Sequence, residues 1–180
     1  MALNATIHAF EIALSDADRG VYEALSLRVA RHPSESEEFL WARVLAYCLE
    51  YTDGIAFGKG LSTPDEPAIA VRDLSGAMQA WIDVGVPDAA RLHRAAKAAP
   101  RVAVYTQRDP QLLLRALQGE RIHRREALAL HALDRELIGQ LVERTQRRMA
   151  FDLSVTGGHV YLAIGGESLG GEVVRLDSGD

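Results

Sequence analysis

Trp81-Ile82-Asp83-Val84-Gly85-Val86-Pro87-Asp88 sets the end of an apolar run directly against a proline and an acid. An apolar run from Ala77 to Val84 carries one acid near its end, and Pro87-Asp88 directly afterwards supplies a helix start, so a strand is predicted to pass straight into a helix. Downstream, Leu92, Ala95, Ala96 and Ala99 share one helical face, with Arg91, Arg94 and Lys97 near the other, as far as Pro100. Val102-Ala103-Val104-Tyr105 is then too short for a helix and reads as a buried strand. Upstream, Ile55–Leu61 and Ala68–Arg72 are short runs between turn residues and read as two further strands. Before them, Pro33 and Ser34 with Glu37 three residues on predict a capped helix start. An apolar stripe of Phe39, Leu40, Trp41, Val44, Leu45, Cys48 and Leu49 carries that helix to Tyr51-Thr52-Asp53-Gly54. The predicted order is αβββαβ.

Both ends add to this core. Leu3–Leu14 alternates with a period near two, Ser15–Gly20 is a turn cluster, and Val21–Ala30 resumes, which predicts a β-hairpin with a helix over Tyr22–Ala30 as the alternative. Asp109-Pro110 opens a short helix closed by Gly119, Ile122–Leu133 reads as extended, Asp134–Gln146 as helical, and Met149–Leu176 as strands. The paired glycines Gly157-Gly158, Gly165-Gly166 and Gly170-Gly171 lack the lysine and the strand-to-helix context of a phosphate loop and read as hairpin turns.

The 180 residues suit one α/β domain, taken as 1–180 with its core at approximately 34–106. A hydrophobic fraction of 48% excludes a disordered chain, and the net charge of −5 argues against coating nucleic acid through bulk charge, though not against a local basic cleft. The single cysteine, Cys48, on an apolar stripe without a C-x-x-C partner, argues against a disulfide framework, zinc and thiol catalysis. With neither an export signal nor a long apolar run, a cytoplasmic protein with no membrane span is expected.

Four charged groups stand out by their placement. Glu38 lies one turn before Trp41 and is expected to border the apolar stripe. Pro64-Asp65-Glu66-Pro67 holds two carboxylates between prolines. Asp83 ends an apolar strand, where acids of α/β folds point into the crevice beyond the sheet. Arg91, Arg94 and Lys97 follow on the next helix and would supply positive charge beside a carboxylate-held magnesium. Each has a plainer alternative as a solvated face, a polar loop or a salt-bridged strand end.

Met1-Ala2-Leu3-Asn4-Ala5-Thr6-Ile7, Ala30-Arg31-His32-Pro33-Ser34-Glu35, Gly60-Leu61 with Asp65-Glu66-Pro67, and Trp81–Asp88 together closely resemble the YaeQ family of bacterial proteins, across essentially the whole chain. The resemblance implies a single-domain variant of the PD-(D/E)xK restriction-endonuclease-like core, wrapped by extra strands from both termini. It places Glu38 as an accessory acid on the first core helix, Asp65 or Glu66 at the PD aspartate, and Asp83 at the acid of the third strand. Gly85 stands where the motif lysine belongs, and Arg91, Arg94 or Lys97 could reach back from the next helix, with Arg94 favoured.

Two functions follow as expectations. One is a phosphodiesterase acting on nucleic acid, in which Asp83 and Asp65 or Glu66 hold magnesium or manganese, Glu38 assists through water, and Arg94 or Lys97 stabilises the phosphate. The other is a non-catalytic nuclease-fold module that binds nucleic acid or a protein partner.

Overall fold

Strands β1 (Thr6–Asp16) and β2 (Val21–Arg31) pair antiparallel without interruption from Thr6 opposite Arg31 to Asp16 opposite Val21. The hairpin, not the helical alternative, is present. The computed structural model describes residues 4–59 and 65–179. The expected extensions of the first strand to Leu3 and of the third to Leu61, and Pro64 of the two-carboxylate loop, lie outside them. In β1 the buried face is His8, Phe10, Ile12 and Leu14, and Ile7 points outward.

Then follow α1 (Glu37–Leu49), β3 (Ile55–Phe57), β4 (Ile69–Arg72), β5 (Met78–Val84), α2 (Ala89–Ala98) and β6 (Arg101–Thr106), which is the expected αβββαβ order. Beyond it lie α3 (Pro110–Leu117), a 3₁₀ turn at Arg125–Ala127, β7 (Ala129–Ala132), α4 (Arg135–Glu143), β8 (Arg148–Thr156), β9 (His159–Ile164), β10 (Glu167–Glu172) and β11 (Val174–Leu176). The extended reading of 122–133 therefore survives only in β7, and α4 stops short of Gln146.

The strands form two sheets, ordered β10-β9-β8-β1-β2 and β11-β7-β6-β5-β4-β3. The strands added at the two ends of the chain thus meet each other, through the parallel pairing of β1 with β8. In the second sheet β5, β6 and β7 are parallel, and β3 and β4 at one edge and β11 at the other join through antiparallel pairings. Alternation along β5 divides the interior. Ala80, Ile82 and Val84 join a core with α1 and the first sheet, whereas Trp81 faces the core of α2 and α3.

Helix α1 differs from the amphipathic stripe expected of it. Every residue from Leu40 to Cys48 is buried, including Arg43, because a sheet covers it on each side. Its N-cap is Ser36, whose hydroxyl accepts from the Phe39 N–H at 3.1 Å. Ser34, the expected cap, instead bonds the His32 ring at 2.7 Å. Arg19 in the hairpin turn donates to the carbonyls of Cys48 and Tyr51, capping the helix end and tying it to the first sheet.

Gly157-Gly158 and Gly165-Gly166 sit in the β8–β9 and β9–β10 turns as expected. Gly170 and Gly171 do not: they lie within β10, and a Cβ on Gly171 would stand 2.5 Å from that of Asp134. Here glycine admits α4 against the strand. Together the described residues make a mixed α/β single-domain fold of two sheets and four helices, none long and apolar enough to cross a membrane.

Candidate functional site

Strand β5 presents Asp83 on the same face as Trp81, toward α2, with 2% of the residue exposed. The strand then ends at Gly85, whose φ of +84° suits glycine and whose N–H still donates to Tyr105 on β6 at 3.0 Å. A Cβ there would meet the Phe39 ring at 3.4 Å. Asp88 starts α2 by accepting from the Arg91 N–H at 2.8 Å. This sharp passage from strand to helix places the Arg91 side chain, in the first turn, back over the strand end.

Arg91 grips Asp83 with two hydrogen bonds, Nε to Oδ2 at 2.7 Å and an η-nitrogen to Oδ1 at 3.1 Å. The same η-nitrogen donates to the Glu66 carbonyl at 2.7 Å, and the Ala68 N–H donates to Asp83 Oδ1 at 3.2 Å. The guanidinium lies 5.3 Å from the Trp81 ring centroid. Hydrogen bonding to Asp83 raises the Arg91 pKa above its ordinary value, against the opposing effect of burial. The arrangement joins β5, α2 and the loop entering β4 in one charge-assisted cluster.

The other expected residues stand differently around this cluster. Asp65 is exposed, and Glu66 is half-buried and joins the cluster through its backbone carbonyl. Arg94 and Lys97 are exposed, so it is Arg91 and not the favoured Arg94 that reaches back. The reason is geometric: helical side chains lean toward the N-terminus, and only the first turn of α2 borders the strand end. Glu38 is exposed on α1 rather than packed along an apolar stripe, since the helix sinks between the sheets only after it. Among the described residues no group of three or more Asp, Glu, His or Cys is placed to hold a metal ion. Both Asp83 oxygens are engaged by Arg91, so a magnesium held by Asp83 with Asp65 or Glu66 would have to displace that guanidinium.

A second buried pair lies outside the charged groups expected from the sequence. Glu35, within the Arg-His-Pro-Ser-Glu segment, accepts from Arg43 of α1 at 2.7 Å, both side chains being 2% exposed. Arg43 also donates to the Ala30 carbonyl at 2.9 Å, and Arg31 donates to the Glu35 carbonyl at 3.0 Å. The guanidinium lies 6.0 Å from the Phe39 ring centroid and 5.9 Å from that of Phe57. Burial lowers the Arg43 pKa while Glu35 opposes the change. Its Nε is buried without a partner among the described residues. The available signal was an arginine inside the unbroken run Leu40–Cys48. Cys48, by contrast, is core as expected, its thiol pushed up to about 12 by complete burial.

The YaeQ protein family model matches residues 1–172. The chain is 32% identical over 165 residues to the uncharacterized YaeQ protein of Salmonella typhi, with 91% of each chain covered, and 32% identical over 166 residues to that of Escherichia coli K12, with the same coverage. Crystal structures of two YaeQ proteins superpose on it with a TM-score of 0.85. The protein from Pseudomonas syringae is 30% identical, with 97% of this chain and 98% of that one covered. The protein from Xanthomonas axonopodis pv. citri is 33% identical, with 95% and 97% covered. With the family model spanning nearly the whole chain and the same fold in both solved structures, the chain belongs to the YaeQ family.

Proposed function

We propose that the protein is a non-catalytic phosphodiester-binding module on a core of the PD-(D/E)xK nuclease type, with its strand-end acid latched by an arginine. Three features support the reading: the αβββαβ order, an acid at the end of β5, and Gly85 where the motif lysine belongs. The bidentate bond between Arg91 and Asp83 carries it. Both carboxylate oxygens are engaged, so an ion entering there would first have to displace a charge-assisted pair.

A magnesium-dependent phosphodiesterase is the second reading, favoured by one observation. Arg91 bonds both the Asp83 carboxylate and the Glu66 carbonyl, so two hard oxygen donors meet at one guanidinium. Arginine itself keeps its proton and is a poor general base.

Gel-shift and cleavage assays on single- and double-stranded DNA and RNA, with magnesium or manganese, separate the readings. The module predicts binding that weakens as salt rises, without cleavage. Cleavage that disappears in Asp83→Asn would establish the enzyme, and no binding to any of these nucleic acids would overturn both in favour of a protein partner.

A further inference from the structure

We infer that the groove between the second half of α2 and the segment after α3 is a binding site for a phosphate-type oxyanion. It deepens the phosphodiester reading by naming the residues that would hold the phosphate, and rests on it only for the source of that phosphate.

The groove, of about 670 Å3, is lined by His93, Lys97, Arg121, Ile122 and His123, with no carboxylate among them. In a chain of net charge −5 the groove thus gathers two cations, Lys97 and Arg121, and two imidazoles. His93 and Lys97 lie one helical turn apart and share a face. Among the described residues neither Lys97 nor Arg121 has an ion-pair partner. The His123 N–H donates to His93 Nδ1 at 2.9 Å, which leaves the neutral imidazole's proton on Nε2 as a donor. Desolvation first, then Lys97, His123 and Arg121, holds the His93 pKa below its usual value, and every charged group acting on it is cationic.

The second half of the groove is held in place at some expense. Arg124 adopts a φ of 48°, in the left-handed region that arginine disfavours. From there its guanidinium reaches the carbonyls of Ala96 and Ala99 at the end of α2, at 2.7 and 3.0 Å. Arg125 donates to the carbonyls of Leu117, Glu120 and Ser178 at 2.6, 2.9 and 2.7 Å. Ile122 is buried in the α2–α3 core. A segment clamped in this way keeps Arg121 and His123 opposite Lys97 before any ligand arrives, which reduces the ordering entropy lost on binding.

The test is calorimetric titration with inorganic pyrophosphate, and separately with a short single-stranded DNA lacking terminal phosphates. The proteins are wild type, the double variant Lys97→Ala/Arg121→Ala, and Arg135→Ala as a control that removes a positive charge elsewhere on the surface. Arg135 is exposed on α4, outside the groove. The double variant should bind about tenfold more weakly or worse, since two charge-assisted contacts are lost, and the control should match wild type. Loss for pyrophosphate assigns the groove to terminal phosphates, and loss for DNA assigns it to phosphodiesters. Wild-type binding of neither probe, unaltered binding by the double variant, or equal weakening by Arg135→Ala would overturn the inference. Pyrophosphate binding that depends on the groove while DNA fails to bind would sink the nucleic-acid reading and leave the groove standing.

Discussion

The fold holds two carboxylate–arginine pairs, each joining a buried acid to an arginine eight residues later on the following helix. Glu35 and Arg43 are sealed, with 2% of each side chain exposed. In the other pair Asp83 is 4% exposed but Arg91 is 24% exposed, and the loop entering β4 closes over it. The same local chemistry thus serves different ends according to what covers it. A sealed pair can only hold α1 to the hairpin, whereas a pair with one partner at the surface can open.

Breaking the sealed pair should have the largest effect. Glu35→Ala leaves a buried guanidinium without its counter-charge and should destabilise by about 3–5 kcal/mol, whereas Glu35→Leu with Arg43→Met should lose far less. Urea denaturation of the three proteins measures both. Should Glu35→Ala prove nearly neutral, the contrast between the pairs fails.

At the half-open pair Arg91→Ala should cost about 1–3 kcal/mol, because water can reach the carboxylate left behind. Hydrogen exchange should then quicken at the Ala68 N–H, which Asp83 accepts. A loss as large as that at Glu35 would show that Arg91 is structural.

Alkali acts on a different buried group of α1. The Cys48 thiol is pushed from 9.0 up to about 12, so the unfolded chain ionises first as alkali is added. Its contribution is whole below pH 9 and falls by about 1.4 kcal/mol per unit as the pH rises toward 12. Burial also raises the Tyr105 pKa, with the same sign, so Cys48→Ala should shallow the alkaline slope without abolishing it. Smallest of all, Glu38→Gln should change stability by no more than about 0.5 kcal/mol, since the side chain is exposed.

Local signals made the core legible. Pro87-Asp88 after an apolar run marked the β5–α2 passage, and Asp88 caps the helix as its type suggests. What escaped is what only tertiary contact decides. Nothing near Ser34 reveals that His32 takes its hydroxyl and leaves the cap to Ser36. The period of α1 suggested one apolar stripe because its two covering sheets come from distant parts of the chain. Glu38 drew attention by its spacing from Trp41, while the buried acid, Glu35, lies before the helix and is recognised only through Arg43. At the site itself Asp83 was legible from strand position, but which of three basic residues reaches it depended on the angle between β5 and α2. Gly170 and Gly171, read as a turn, answer instead to α4 packed across β10.

On the proposed reading Arg91 occupies the place beside Asp83 that a divalent ion would need. Thermal melting of wild type and Arg91→Ala, with and without about millimolar manganese, measures whether the ion can take that place. Manganese should leave the wild-type melting temperature unchanged and raise it once Arg91 is removed. A manganese-dependent rise in wild type that Asp83→Asn abolishes would contradict that reading.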